Sequence, residues 1–330
     1  MRAIVIREPG GPEVLVPSDL PDLSPPFGHV RVAVRLAGVN RADLLQRMGV
    51  YPAPPGVPPN IPGLEYAGVV DAIGEGVSRL RAGDRVMGLV GGGAYAEQIV
   101  VHEAEVARVP DGIDDRTAGA VPETFVTAYD AMITRGALAP GESVVIHAAG
   151  SGVGTAAIQI AKGLGCKVIA TSRTADKLER CKELGADATI VVGDGSFADA
   201  VKDATNGRGA DVILDLVGGA YVGEDVFAVA PLGRIVVVGL TAGARSELHL
   251  GALLQKRATI VGTVLRSRPL AEKIAAAQVL ERNVAPLVAA GRYAPVIDRV
   301  MPLEEAPAAH AFVASNASFG KVLLAVGDRR

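Results

Sequence analysis

The spacing of apolar and polar positions changes character part-way along the chain. From residue 1 to about 115, short β-branched runs (AIVI, VRVAVRLAGV, YAGVVDAIG, DRVMGLV, AEQIVV) are broken by Pro- and Gly-rich segments such as PDLSPPFG and YPAPPGVPPNIPG. This texture predicts a compact β-rich domain with long loops. From about residue 140, apolar runs of four to seven residues alternate with helix-period stretches, which predicts βαβ units on a parallel sheet. Six strands are expected, starting at Val144, Lys167, Ala188, Asp211, Arg234 and Thr259. Each interval except the last is long enough for a right-handed helical crossover; the last, around LHLGALLQK, holds only a short helix. A helical stretch between Pro269 and Gly291 follows, and then VIDRV and KVLLAV resume the strand texture of the first half. The pattern predicts a discontinuous β-rich domain, about 1–115 plus 266–330, interrupted by a doubly wound domain over 116–265.

Composition narrows the functional classes. The 330 residues carry a net charge of −3 with no lysine or arginine block, so nucleic-acid or membrane-surface binding is not expected. The first residues mix charge with Pro and Gly, and no stretch approaches the ~20 apolar residues of a membrane span, so a cytoplasmic protein is expected. The two cysteines, Cys166 and Cys181, have no metal or redox spacing and read as buried thiols. Forty glycines are more than the usual share and ask for a local reason.

The most informative segment is GESVVIHAAGSGVGTAAIQIAK, Gly141 to Lys162. An apolar strand ends at His147 and Ala148, small residues follow, and a helix is expected to open at Thr155. Such a turn sets a pyrophosphate on the N–H groups and positive end of a helix, and small residues let the phosphates approach the backbone. The match to G-x-G-x-x-G is imperfect, with Ala149, Ser151 and Gly154 in the three glycine places, but strand, loop, helix and further strands follow in order. The second strand ends Ala170, Thr171, Ser172, Arg173, Thr174 without the carboxylate that binds an NAD ribose. Ser172, Arg173 and Lys177 supply a hydroxyl and two positive charges suited to a 2′-phosphate, which favours NADPH. The alternative is that Arg173 and Lys177 are solvated residues facing Asp176 and Glu179.

Seven segments in order carry a family resemblance: NRADLLQRMGVYPAPPG (Asn40–Gly56), GLEYAG (Gly63–Gly68), AGDRVMGL (Ala82–Leu89), VPETFVTAY (Val121–Tyr129), HAAGSGVGTAAIQIAK (His147–Lys162), LRSR (Leu265–Arg268) and SFGKVLL (Ser318–Leu324). Over essentially its full length the chain resembles the zinc-free quinone oxidoreductase, or zeta-crystallin-like, branch of the medium-chain dehydrogenase/reductases, and in it the p53-inducible type. The resemblance implies an α/β fold: a Rossmann doubly wound parallel sheet plus a GroES-like β-rich catalytic domain, with NADPH as cofactor and a homodimer formed through the last Rossmann strand, here TIVGTV. It implies a cofactor set of Thr127, Ser151, Gly152, Val153, Ser172, Lys177, Gly239, Leu240, Asn316 and Lys321, to which the strand-end reading adds Arg173. Two positions depart from the family. An Asn-Tyr pair common after the third Rossmann strand is Val191 and Val192 here, and the first of two substrate-facing tyrosines is Leu45, leaving Tyr51.

Zinc-dependent members of the superfamily hold their metal with a Cys and a Gly-His-Glu segment; the matching positions here are Asn40 and Gly63-Leu64-Glu65, so no metal site is expected. Without a Lewis acid, an acceptor that already takes hydride readily is implied, such as a quinone or an electron-poor enone. Asn40 and Tyr51 are the expected catalytic residues, facing the substrate carbonyl, with the proton delivered by Tyr51 or water. Glu65 and Asp43 are expected to salt-bridge to Arg41 or Arg47, and His147 to serve packing. The alternatives are an enoyl-thioester reductase of the same superfamily, or a non-enzymatic NADPH-binding sensor or RNA-associated protein.

Overall fold

A computed structural model describes residues 1–193 and 195–327. It divides into two compact units, Met1–Val126 with the chain from Leu265 onward, and Thr127–Val264.

The first unit opens with an antiparallel pair, β1 (Arg2–Ile6) and β2 (Leu15–Asp19). There follow β3 (His29–Val39), α1 (Arg41–Arg47), β4 (Glu65–Ile73), β5 (Arg85–Leu89), β6 (Gln98–His102), β7 (Val106–Arg108) and α2 (Asp115–Ala120). Helix α3 (Pro122–Tyr129) carries the chain into the second unit, which contains β8 (Ser143–Ile146), α4 (Gly152–Gly163), β9 (Lys167–Ser172), α5 (Ala175–Glu183) and β10 (Ala188–Val191). It continues with α6 (Ala198–Ala204), β11 (Ala210–Asp215), α7 (Ala220–Ala228), β12 (Val229–Val237), α8 (Leu250–Lys256) and β13 (Thr259–Gly262). The chain then returns through α9 (Leu270–Val279), α10 (Ala285–Ala289), β14 (Ile297–Pro302), α11 (Ala306–Ala314) and β15 (Lys321–Ala325).

In the first unit the returning strand β15 pairs antiparallel with β3, so residues nearly 300 positions apart in sequence close one sheet, ordered β14-β15-β3-β4-β5-β7 with β6 also on β3. Its core gathers Ile4, Val30, Val32, Tyr66, Val70, Tyr95 and Leu324. The boundary falls after Val126, not near 115, because α2 packs on β3 and β4: a Cβ on Gly119 would lie 2.6 Å from Leu36 Cβ.

The second unit is an all-parallel sheet ordered β10-β9-β8-β11-β12-β13. Numbered from β8 this is the 3-2-1-4-5-6 order, whose direction reverses between β8 and β11; ligands of such sheets bind beyond the strand C-termini at that point. Strands β8 and β11 are buried at every residue, as expected of strands covered on both faces. Both cysteines are buried thiols, and burial pushes Cys181 up to about 11. Among the described residues no helix is long and apolar enough to cross a membrane.

Candidate active site

In the second unit, β8 ends at Ile146, and Ala148 turns the chain in the left-handed region at φ 49°. Ser151 then caps α4, its Oγ accepting from Gly154 N at 3.1 Å. The helix therefore begins at Gly152, three residues before the expected Thr155, because Ser151 satisfies a first-turn donor that a loop would leave bare. Gly152 and Val153 supply first-turn N–H groups that have no acceptor within the helix, aimed past the C-terminal ends of β8 and β11. The loops after β11 and β12 press together beside them. A Cβ on Gly239 would lie 2.2 Å from Leu216 O, and one on Gly218, at φ +70°, would lie 2.7 Å from Gly239 O. Such a cradle suits a ligand that must approach backbone closely, as a dinucleotide pyrophosphate does. Leu240 is exposed beside Gly218, and Thr127 is buried.

Strand β9 ends at Ser172, whose Oγ accepts from Thr174 N at 3.3 Å; Arg173 is exposed and Lys177 half-buried in the first turn of α5. Val191 is exposed and Val192 buried, so neither offers a polar group where the family has Asn-Tyr. Tyr221, at the start of α7, feels the charge of Arg173, a neighbour the sequence did not reveal. His147 is fully buried, 2.8 Å from both Thr171 Oγ1 and Asp225 Oδ1 and packed against Phe197 and Tyr221. It braces β8 against β9 and α7, the packing role expected of it. Asp215 closes β11 by accepting from Val217 N and Gly218 N, which fixes the neighbouring loop; sequence reasoning gave it no role.

In the first unit, Asn40 caps α1 in a reciprocal box with Asp43. Asp43, expected to pair with an arginine, instead accepts from Asn40 N, Gly63 N and the Tyr95 hydroxyl. Glu65, expected at Arg41 or Arg47, pairs with Lys321, and both are buried. Arg41 reaches Asn316 Oδ1 at 2.6 Å and Arg47 the carbonyl of Gly10. These acids face inward because Glu65 opens β4 and Asp43 lies on the buried side of α1, which the spacing of charges along the chain does not show. Lys321 also donates to Asn40 Oδ1 at 2.5 Å and Val39 O at 3.2 Å. Asn40 Nδ2 donates to Glu65 Oε1 at 3.0 Å and Gly38 O at 3.3 Å, while Glu65 Oε2 accepts from Glu123 N at 2.8 Å. The amide protons of Asn40 and the ammonium protons of Lys321 are thus spent inside the unit. Tyr51 is different: half-buried, its hydroxyl makes no hydrogen bond among the described residues. Among the described residues no three His, Cys, Asp or Glu side chains converge.

Behind Asp43, Tyr95 also meets His310 Nε2 at 3.1 Å. Burial, with Arg47 adding to it, pushes His310 down from 6.5 to about 3, and burial pushes Asp43 up to about 6. The two act with opposite sign. Between pH 6.5 and 3 the unfolded chain takes a proton that folded His310 refuses, so its contribution to stability falls as pH falls; protonation of Asp43 in the folded state from about pH 6 downward favours the fold. Replacing His310 with glutamine is expected to remove the first effect, about 1.4 kcal/mol per pH unit below 6.5. Denaturant midpoints at pH 7 and 5 check this: the variant should lose about 2 kcal/mol less than the parent. Equal losses would refute it.

Comparison with known proteins agrees with this architecture. A family described as "Alcohol dehydrogenase GroES-like domain" matches residues 27–111, and one described as "Zinc-binding dehydrogenase" matches residues 152–281. Human quinone oxidoreductase is 31% identical over 328 residues, 98% of this chain and 97% of its own. A solved structure titled NAD-dependent alcohol dehydrogenase is 35% identical with a TM-score of 0.87, over 99% of this chain and 100% of its own. Escherichia coli quinone oxidoreductase complexed with NADPH is 29% identical with a TM-score of 0.89, over 98% of this chain and 100% of its own. The chain belongs to the medium-chain dehydrogenase/reductase family, among its quinone oxidoreductases.

Proposed function

We propose that the protein is an NADPH-dependent, zinc-independent quinone oxidoreductase that reduces quinones or related electron-poor enones. The observation that carries this reading is the ammonium of Lys321 seated between Glu65 and Asn40. By the family resemblance, Glu65 stands where zinc-dependent members have glutamate, Asn40 where they have cysteine and Leu64 where they have histidine; here the oxygens of Glu65 and Asn40 are committed to a lysine. A Lewis acid is what makes an alcohol give up its hydride readily, so a site built around a lysine suits an acceptor that needs none. Reduction of a quinone leaves charge spread over a phenolate, which modest hydrogen bonding stabilises.

Bound to the second unit, NADPH supplies the hydride. The first-turn N–H groups of Gly152 and Val153, with Ser151, hold its pyrophosphate, and Ser172, Arg173 and Lys177 its 2′-phosphate. Thr127, Gly239 and Leu240 shape the remainder of that surface. In the first unit Asn316 and Lys321 belong to the cofactor set, Lys321 by anchoring Asn40 and Glu65, since its own protons are spent. Asn40 orients the substrate end of the unit, and the free hydroxyl of Tyr51 donates to the substrate carbonyl. A homodimer through β13 completes the proposal: among the described residues this strand pairs with β12 alone, and its other edge suits pairing with a second copy.

The test is oxidation of NADPH on adding an ortho- or para-quinone, followed by the loss of nicotinamide absorbance. NADPH is expected to be preferred over NADH, and Arg173→Ala to reduce that preference about tenfold, the worth of one charge-assisted phosphate contact. Equal use of NADH by the parent, or turnover of simple alcohols in place of quinones, would overturn the reading.

A further inference from the structure

Arg266 is the second residue of the chain's return to the first unit, and it is 6% exposed. Its guanidinium ties together three separate segments. Nε donates to Gly91 O at 2.7 Å, Nη1 to Tyr51 O at 3.0 Å, and Nη2 to Gln46 Oε1 at 2.5 Å, while Gln46 Nε2 itself donates to Pro59 O at 3.0 Å. Cζ lies 5.0 Å from the centroid of the Tyr51 ring. Among the described residues no carboxylate lies within ion-pair distance of it; a buried guanidinium held only by carbonyls and a ring is costly and calls for a reason.

We propose that Arg266 is a positioning residue for proton delivery: it locks the Tyr51 ring in place and favours the phenolate left when that hydroxyl hands its proton to the reduced substrate. This rests on the reading of Tyr51 as donor. In the step, the Tyr51 O–H bond breaks, a substrate O–H bond forms, and the phenolate regains a proton from water. The planar fork fixes the Tyr51 main chain while its face lies over the ring, a combination that a lysine cannot reproduce. Loss of the phenolic proton converts a cation–ring contact into a charge–charge attraction. Burial is the largest influence on Tyr51 and raises its phenol above the ordinary value; of the charged groups facing it, Arg266 counters that rise and Glu123 on α3 adds to it. Asp43 and Glu123 are the acids that favour the charge on Arg266.

The experiment compares Arg266→Met and Arg266→Lys with the parent, using the alkaline titration of carbon-labelled tyrosine followed by NMR, with Tyr51→Phe identifying the Tyr51 signal. In Arg266→Met the Tyr51 phenol is expected to titrate about one pH unit higher, and in Arg266→Lys by a smaller amount in the same direction. Quinone kcat should fall about tenfold in Arg266→Met with KM for NADPH little changed, and the Tyr51-dependent limb of the pH profile should move with the NMR titration. Should the methionine variant not fold, the lysine variant alone decides. An unmoved Tyr51 titration in a folded variant overturns the inference. A moved titration in a protein whose Tyr51→Phe variant still turns over at the parental rate overturns Tyr51 as donor while leaving the Arg266–Tyr51 coupling intact.

Discussion

Replacing Gly154 with valine is expected to raise the Kd for NADPH at least ~1,000-fold, about 4 kcal/mol. A Cβ at this position would lie 2.5 Å from Ala149 O and 2.7 Å from Ala148 O, and both are main-chain atoms that no rotamer change can move. The loop has little slack to absorb the clash. Ala148 is already in the left-handed region at φ 49°, Ala149 N donates to Thr171 O at 3.0 Å, and Ser151 N donates back to Ala148 O at 2.9 Å. Relief must come from pushing the first turn of α4 away from β8, which breaks the cap from Ser151 Oγ to Gly154 N and turns the N–H groups of Gly152 and Val153 from their common direction. Anion binding at a helix end depends on those groups converging, so the cofactor loses affinity even where the unit stays folded. Calorimetric titration with NADPH, beside circular dichroism showing an intact fold, checks this. Binding within tenfold of the parent would mean that the pyrophosphate does not sit on this turn.

The nucleotide-binding unit was legible because its physics is local. Parallel strands covered on both faces are continuous apolar runs, and five of the six start within one residue of the expected position. The exception is β12, which begins at Val229 and not Arg234: Pro231 and Gly233 disguise its first half, Leu232 sits at φ 62°, and the pairing with β11 shifts register there. Strand β2 escaped notice for a related reason. It carries Pro17 and two polar or charged positions, Ser18 and Asp19, which an edge strand tolerates and an alternation reading rejects. Helix α1 has no apolar stripe, since it buries Asp43, Gln46 and Arg47 against partners that only the fold supplies. The same distinction divides the site residues. Small residues between strand and helix are visible in the sequence itself, which is why a phosphate cradle is expected there. The partners of Asn40, Glu65 and Tyr51 do not show, because they arrive from residues 266 and 321 through strand pairing and a return crossing, and charge spacing along the chain pointed to nearby arginines.

Lysine 321 is where that long-range pairing matters most, and Lys321→Met is expected to destabilise the first unit by about 3–5 kcal/mol. The register dictates the contact. Val322 lies opposite Val39 and Ala37 opposite Tyr66, so the first residue of β15, the one just after β3 and the first of β4 must meet at one end of the sheet: Lys321, Asn40 and Glu65. Removing the ammonium leaves Glu65, which is fully buried, with Asn40 Nδ2 and Glu123 N as its donors among the described residues, and frees Asn40 Oδ1 from Lys321. An unpaired buried carboxylate costs far more than the pair contributed, and this asymmetry makes the result diagnostic. Glu65→Gln in the same background removes the orphan charge; its Oε1 can still accept from Glu123 N, and its Nε2 can donate to the Asn40 Oδ1 that Lys321 has vacated, so the double variant should recover more than half of the loss. Denaturant unfolding of the two single variants, the double variant and the parent forms a cycle in which the coupling should exceed 1 kcal/mol, with midpoints moving and slopes unchanged. Additive losses, or a Lys321→Met variant within 1 kcal/mol of the parent, would show that the lysine is solvated in solution and that Asn40 and Glu65 are free for another ligand.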